Sequence, residues 1–126
     1  MTNLLEINHL TREFLVGGFL FGQKITAVDD VSLTMTADRP VILAFVGESG
    51  CGKTTLTKMV LRLVEPTRGQ IFLNGQSLRD KRALGNKRFR TLVQPIFQNP
   101  FEAFSMRRLV EKYLIDTALS FGGAKR

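Results

Sequence analysis

The chain has 126 residues, the usual size of one domain, and its 44% hydrophobic and 23% charged residues are ordinary globular usage rather than the composition of a disordered segment. Eighteen Lys and Arg against eleven Asp and Glu give a net charge of +7, which favours anionic partners such as a nucleotide, nucleic acid or an acidic membrane surface. The longest apolar run has six residues, 41–46, far short of the roughly 20 that a membrane-crossing helix needs.

The first half of the chain predicts three strands. Near-alternation of apolar and polar residues over Leu4–Phe14 indicates one strand, and Lys24–Met35 indicates a second with a bend or bulge at Asp29-Asp30. The run Val41–Val46 has no alternation, which is typical of a strand covered on both faces. His9, the one histidine, lies among polar neighbours and is expected to be an exposed residue of the first strand.

The second half predicts helices and short strands in turn. Apolar residues recur at helical spacing after residue 53, and Pro66 and Gly69 end that helix because proline cannot continue it and glycine allows a tight turn. Pro95 weakens the last strand, since proline is normally confined to strand ends, edges and bulges. The predicted elements are a helix at Lys53–Val64, a strand at Gln70–Leu73 closed by an Asn74-Gly75 turn, a strand at Thr91–Phe97 and a helix at Arg108–Leu119.

Most of the net charge is concentrated in the stretch from Arg79 to Arg90, which holds six basic residues and one acid. Such a stretch favours a solvated basic surface over a dedicated anion site. Apart from Phe89, it lacks the aromatic residues that interleave with basic ones where bases are stacked. Nucleic acid is therefore the less favoured of the anionic partners.

One motif carries chemistry. Residues 47–54 fit G-x-x-x-x-G-K-[ST] in full, with an apolar run before them and a helical pattern after them. Glycines permit the dihedral angles that turn backbone N–H groups toward phosphate oxygens, and the helix start adds its unpaired N–H groups and its dipole. The alternative, a glycine-rich turn that only caps the helix, is disfavoured by the complete motif. The predicted phosphate-binding residues are Gly47, Glu48, Ser49, Gly50, Cys51, Gly52, Lys53, Thr54 and Thr55.

Individual side chains of this motif have separate expected roles. Lys53 is placed to bridge the β- and γ-phosphates, and Thr54 to offer its hydroxyl to Mg²⁺, while Thr55 adds a hydroxyl near the α-phosphate. Cys51 is expected to contribute its backbone as a small residue, with a reactive thiol as the alternative. As the single cysteine it cannot form an internal disulfide, and together with His9 it makes neither a metal site nor a catalytic dyad.

The blocks around the motif support a family resemblance. They are Ala27–Leu33, Val46–Leu56, Glu65–Gly69 and Ile96–Phe101. With these blocks the sequence resembles the ATP-binding subunit of ABC transporters, in the oligopeptide and dipeptide importer branch that also includes nickel and oligosaccharide relatives. The resemblance implies an α/β fold of the P-loop NTPase class: an incomplete ABC-type nucleotide-binding domain with an N-terminal antiparallel β subdomain and the start of the helical subdomain. It divides the chain into a nucleotide-binding core at about 1–98 and a Q-loop with the start of the helical subdomain at about 99–126.

The resemblance also implies roles for residues outside the motif. Phe14 stands where the family places an aromatic ring that stacks on adenine, the alternative being a packed strand residue. Val28 joins the nucleotide-binding residues. Gln98 corresponds to the Q-loop glutamine, whose amide oxygen reaches Mg²⁺ and the attacking water. Lys53 and Gln98 are therefore the expected catalytic residues, Thr54 and Gln98 the expected magnesium ligands, and ATP and Mg²⁺ the expected cofactors.

The implied partners are those of an importer subunit. They are transmembrane permease subunits and a second ATP-binding subunit in a head-to-tail dimer, whereas the transported solute, most simply a peptide, is not contacted directly. The implied location is the cytoplasmic face of the membrane, as a peripheral protein. The N-terminus agrees with this, since it has neither a basic leader nor a long apolar stretch and so predicts neither a signal peptide nor a transmembrane helix.

The sequence departs from the family in its later motifs. It contains no Leu-Ser-Gly-Gly-Gln signature, no apolar strand ending in Asp-Glu and no switch histidine. These motifs supply the general base, a second carboxylate for Mg²⁺ and the opposite wall of the nucleotide site, so we expect little or no ATP turnover by this chain. Without the neighbouring strand, Val41–Val46 is expected to have an open edge or an exposed apolar face and to promote self-association.

Three functions therefore remain open from the sequence. The first is the truncated ATP-binding subunit of an importer that couples ATP binding and hydrolysis to uptake of peptides or a related solute. The second is a nucleotide-binding fragment without hydrolysis of its own, completed in trans by another polypeptide. The third is a nucleic-acid-associated ABC-type ATPase that uses residues 79–90 on phosphates.

Overall fold

Residues 3–17, 22–80, 82, 84–96, 99 and 108–121 are described by the computed structural model. The chain divides into two compact units, Met1–Arg88 and Phe89–Arg126. The first unit carries all of the strands and the first helix, and the residues predicted to bind phosphate all lie in it.

An antiparallel sheet forms the frame of the first unit. Its strands are β1 (Asn3–Val16), β2 (Gln23–Thr36), β3 (Arg68–Leu73) and β4 (Gln76–Ser77), in the spatial order β2-β1-β3-β4. β1 pairs on one side with β2 and on the other with β3, so its backbone is hydrogen-bonded along both edges. The three strands predicted at Leu4–Phe14, Lys24–Met35 and Gln70–Leu73 are confirmed, as is the N-terminal antiparallel arrangement.

The predicted bulge in the second strand is also confirmed. The β1–β2 register jumps between the pairs Leu10–Val31 and Arg12–Val28, and the residues skipped include Asp29 and Asp30. Asp30 has a φ of 46°, in the left-handed region that aspartate tolerates better than most residues. His9 faces it from β1 with a φ of 49°, and its Nδ1 lies 2.8 Å from Oδ1 of Asp30. The His9 side chain is exposed, as predicted.

The described residues also form three helices: α1 (Lys53–Val60), α2 (Asn86–Leu92) and α3 (Val110–Phe121). α1 ends earlier than predicted because Arg62 adopts a φ of 59°, which breaks the helical repeat before the Pro66 turn. α3 confirms the helix predicted at Arg108–Leu119. No helix in the described part of the chain is long and apolar enough to cross a membrane.

The strand predicted at Thr91–Phe97 is wrong. Thr91 and Leu92 form the last turn of α2, residues 93–96 have no regular structure, and Phe97 lies outside the described residues. The helix is continued beyond its end by a hydrogen bond from the Val93 amide to the Phe89 carbonyl. Pro95 has no N–H to donate to a ladder, which removes one of the bonds that a strand here would need.

The strand predicted at Val41–Val46 is also wrong. Residues 40–48 belong to no strand, and every side chain from 41 to 46 is exposed. A strand needs a hydrogen-bonded neighbour, and no strand of the described residues pairs with this run. The expected exposed apolar surface is therefore present, but as an unpaired segment without regular structure, residues 41–46, that we call the apolar run.

The core of the first unit lies between α1 and the sheet. Leu56 and Met59, on one face of α1, are buried, and so are Ile7 and Leu10 of β1 and Ile71 of β3. Leu78 and Leu84, which follow β4, are buried as well. Because the last residues of the predicted phosphate motif form the first turn of α1, this packing fixes where the motif ends relative to the sheet.

Candidate functional site

The loop at residues 47–52 joins the apolar run to α1, and two glycines shape it. Gly50 has a φ of 85° and Gly52 a φ of 94°, both in the left-handed region where a side chain is strained. A Cβ at Gly50 would meet open space, whereas one at Gly52 would lie 2.1 Å from the Ala27 carbonyl oxygen and 3.4 Å from Cγ2 of Val28. Gly52 therefore lets the loop rest directly on the backbone of β2.

The Lys53 ammonium lies inside the curve of this loop. Its Nζ donates hydrogen bonds to the carbonyl oxygens of Gly47 and Glu48, both at 2.7 Å, and lies 3.2 Å from Sγ of Cys51. A lysine has three rotatable donors. The arrangement places one compact positive charge within reach of any anion that the loop surrounds.

The start of α1 adds further donors. Its N-cap residue is Gly52, which makes no side-chain capping bond, so the first N–H groups of the helix have no intrahelical or capping partner. Thr54 and Thr55 stand in this first turn, Thr54 exposed and Thr55 half-buried. The positive end of the helix dipole points the same way. An anion is the ligand that this arrangement favours.

The Cys51 side chain, and not only its backbone, faces the inside of the loop. A Cβ at Gly47 would lie 2.8 Å from the Cys51 Sγ, so glycine at that position makes room for the sulfur. The hydrogen bond with Lys53 lowers the pKa of the exposed Cys51 thiol below its usual range. The sequence alone favoured a backbone role and did not reveal this contact.

Phe14 and Val28 lie on the sheet face against which the loop packs. Val28 is paired with Arg12 of β1, so both side chains share one face of the sheet, and Phe14 shares it because it is two residues further along the same strand. Phe14 pairs with Ile25, three residues before Val28, and the register between β1 and β2 shifts between these two pairs, at Arg12/Glu13. The structure thus brings these two predicted residues to the same side of the sheet as Gly52.

Gln98, the other predicted catalytic and magnesium-binding residue, lies outside the described residues. The other predicted site residues, Phe14, Val28 and 47–55, all belong to the first unit. Their individual roles toward a nucleotide stay predictions.

Sequence reasoning missed the contacts of Arg12 and of the segment Glu65–Gly69. The Arg12 guanidinium carbon lies 4.4 Å from the centroid of the Phe14 ring, and its Nη1 donates to the Glu65 carbonyl oxygen at 2.9 Å. In the sequence, this segment indicated the end of a helix and formed one block of the family resemblance. The i, i+2 spacing of Arg12 and Phe14 on a predicted strand was the one signal that pointed to the first contact.

Comparisons with known proteins agree with this geometry. A family model described as ABC transporter matches residues 28–121. The di/tripeptide transport ATP-binding protein DppF of Pseudomonas aeruginosa (strain UCBPP-PA14) is 36% identical over 95% of this chain and 39% of its own length. The oligopeptide transport ATP-binding protein OppF of Haemophilus influenzae is 39% identical over 82% of this chain and 32% of its own length.

Two further comparisons extend the match. The nickel import ATP-binding protein NikE of Escherichia coli O157:H7 is 35% identical over 88% of this chain and 41% of its own length. A solved structure described as the ATP-binding subunit of an ABC transporter superposes with a TM-score of 0.62 at 28% identity, covering 97% of this chain and 44% of that one. The chain thus spans roughly two-fifths or less of the curated relatives named here, and the predicted fold class, an incomplete nucleotide-binding domain, is confirmed.

Proposed function

Because the chain belongs to the ABC transporter family, we propose that it is the nucleotide-binding part of an importer's ATP-binding subunit and that residues 47–55 hold ATP with Mg²⁺. Phosphate oxygens are surrounded by the loop and by the N-terminal turn of α1. The division of labour proposed for the chain is a nucleotide-binding core at about 1–98 and a Q-loop with the start of a helical subdomain at about 99–126.

The observation that carries this proposal is the position of the Lys53 ammonium, held at 2.7 Å by two carbonyl oxygens of the loop itself. The N–H donors that the Lys53 ammonium directs to these carbonyl oxygens are the ones that would bind a phosphate oxygen instead. With left-handed glycines at positions 50 and 52 and an uncapped helix start, the loop fits a polyanion.

The residues divide the work of holding the nucleotide. Lys53 neutralises charge on the terminal phosphates, and Thr54 and Gln98 offer oxygen ligands of the kind that Mg²⁺ takes. Val28 packs under the loop, and the Phe14 ring is offered to the base. Bound MgATP supplies the phosphoanhydride bond whose hydrolysis the family uses.

We expect binding without efficient turnover from the 126 residues alone. Phosphoryl transfer depends on positioned charges and a residue that orients water, and the chain offers Lys53, Thr54 and Gln98 without a signature loop or an Asp-Glu strand. Hydrolysis would then require those groups from outside these 126 residues. Robust hydrolysis that depends on Lys53 in the purified chain would contradict this part of the proposal.

The relatives indicate the kind of transporter. Two of the relatives are peptide transport proteins and one is a nickel import protein, so peptide uptake is the favoured process and nickel uptake the alternative. The proposed partners are transmembrane permease subunits and a second ATP-binding subunit in a head-to-tail dimer. The proposed location is the cytoplasmic face of the membrane, and the solute itself is not contacted.

Calorimetric titration of Mg-ATP into the chain tests the central claim. We expect saturable binding that Lys53→Met weakens by about tenfold or more, since a hydrogen bond to a charged group contributes about 1.5–3 kcal/mol. Lys58→Met is the matched control, because Lys58 is an exposed lysine in the last turn of the same helix. Absence of binding at millimolar Mg-ATP, or equal affinities of the two variants, would overturn the proposal.

A further inference from the structure

Arg12 and the segment Glu65–Gly69 are unexplained by phosphate binding, and their contacts carry an inference that rests on the proposed function. We propose that Arg12 is a positioning residue for the base of the nucleotide: anchored on the Glu65 carbonyl, its guanidinium holds the Phe14 ring in the orientation that receives the base. The segment Glu65–Gly69, which we call the brace, keeps that anchor fixed relative to the phosphate loop.

The first step concerns the two ends of the guanidinium. Its Nη1 donates to the Glu65 carbonyl oxygen at 2.9 Å, and its central carbon lies 4.4 Å from the centroid of the Phe14 ring. The Arg12 Nε is buried and has no hydrogen-bond partner among the described residues. A guanidinium stacked this closely on a ring makes a cation–π contact, which strengthens where water is excluded. One face of the Phe14 ring is therefore occupied, and a base has the opposite face to stack on.

The second step concerns how the brace is tied to β1. The Thr67 amide donates to the Thr11 carbonyl at 2.8 Å, and the Glu13 amide donates to Oγ1 of Thr67 at 3.0 Å. Arg68 adds an ion pair with the Glu13 carboxylate at 3.6 Å. These bonds flank Arg12 on both sides along the strand. The carbonyl on which Arg12 is anchored therefore cannot move independently of the strand that carries Phe14.

The third step concerns how close the brace lies to β1. Gly69 has a φ of 83°, and a Cβ there would lie 2.3 Å from the His9 carbonyl oxygen and 2.5 Å from that of Asn8. The brace also follows α1 after only a short turn, and α1 begins at Lys53. One continuous stretch of chain thus joins the phosphate loop to the strand that bears the aromatic ring. The distance between the base-binding ring and the phosphate-binding loop is set by this connection.

The inference predicts a selective defect. Removing the guanidinium leaves the loop and α1 unchanged but frees the Phe14 ring, so only the base-dependent part of the affinity is lost. We expect Arg12→Ala to weaken Mg-ATP binding about fivefold, the change that corresponds to about 1 kcal/mol of lost cation–π contact at tenfold per 1.4 kcal/mol. Binding of inorganic tripolyphosphate, which has no base, is expected to change by less than about twofold.

The experiment is a pair of calorimetric titrations, Mg-ATP and Mg-tripolyphosphate, into the full chain and its variants. Arg39→Ala is the matched control, since Arg39 is an exposed arginine in the turn after β2. Arg12→Lys keeps the charge but not the planar group, so it is expected to recover only part of the ATP affinity. In a double-mutant cycle, Arg12→Ala is expected to have almost no further effect once Phe14→Leu has removed the ring.

The possible outcomes distinguish a failure of this inference from a failure of the proposed function. Equal losses for ATP and tripolyphosphate would show that Arg12 acts only on the fold, and unchanged ATP binding would show that it does not act at all; either result overturns the inference while the proposed function stands. Independent, additive effects of Arg12→Ala and Phe14→Leu would overturn it as well. A wild-type chain that binds neither ligand overturns the proposed function and the inference with it.

Discussion

β1 and the apolar run are both rich in aliphatic residues, yet they differ in secondary structure, burial and strand pairing. Ile7 and Leu10 of β1 are 1% and 0% exposed, whereas Ile42 and Val46 of the apolar run are 98% and 95% exposed. β1 is hydrogen-bonded to β2 along one edge and to β3 along the other, and α1 packs on the sheet, while the run pairs with no strand of the described residues. Side-chain type therefore does not decide burial here. Packing against other elements does, since Leu15 of β1 is paired with Lys24 and is still 77% exposed.

The largest expected effect comes from separating β1 from β3. Gly69→Ala places a Cβ 2.3 Å from the His9 carbonyl oxygen at a residue with a φ of 83°, so both the backbone strain and the overlap oppose pairing. We expect a loss of about 4 kcal/mol in the free energy of unfolding, which is at the upper end for a single substitution. Urea unfolding followed by circular dichroism measures it.

Gly75→Ala is the matched control for that experiment. Gly75 also has a positive φ, 73°, but a Cβ there would have nothing within 4 Å. The expected loss is therefore the conformational term alone, about 1 kcal/mol. If both variants lose the same free energy, the close approach of the brace to β1 does not hold the sheet together, and the contrast between β1 and the apolar run has another cause.

A second pair of substitutions measures the same contrast at single side chains. Ile7→Ala creates a cavity beneath α1 and is expected to lower the free energy of unfolding by about 3 kcal/mol, whereas Ile42→Ala, in a fully exposed position, is expected to change it by less than about 0.5 kcal/mol. Both are compared with wild type in the same urea titration. An Ile42→Ala loss comparable to that of Ile7→Ala would mean that the apolar run is covered in solution.

The contrast also explains how much of the fold could be predicted from the sequence. Features with a local cause were predicted: Asp29-Asp30 marked the bulge, and Asn74-Gly75, with φ values of 50° and 73°, marked the turn between β3 and β4. The strand predicted at Val41–Val46 failed because a run of apolar residues indicates suitability for a sheet but not the presence of a neighbour. The strand predicted at Thr91–Phe97 failed because its first residues continue the helix that begins at Asn86.

The candidate site also has features that could be predicted from the sequence and features that could not. The loop at residues 47–52 could be located from the sequence because its glycines, Lys53 and Thr54 follow one another there; that it binds phosphate stays a proposal. The contact between Arg12 and Glu65 could not be predicted, because it joins residues 53 positions apart and depends on a backbone carbonyl, which no side-chain pattern reports. The hydrogen bonds of the brace to β1 likewise join residues far apart in the sequence.

The prediction with the smallest expected effect tests whether the loop at residues 47–52 is ordered, although the apolar run before it is unpaired. The Lys53 ammonium beside the Cys51 sulfur holds the pKa of that thiol below its usual range, and the contact is local to the loop. Because the thiolate is the reactive form, we expect the rate of alkylation by iodoacetamide to rise at lower pH than for cysteine in a short peptide. Lys53→Met removes the hydrogen bond and the charge. The midpoint, which is the pH at which the alkylation rate is half-maximal, is therefore expected to move to higher pH, while Lys58→Met leaves it unchanged. A wild-type midpoint equal to that of the peptide would mean that the Lys53 ammonium does not lie beside the Cys51 sulfur in solution and that the loop is not ordered as described.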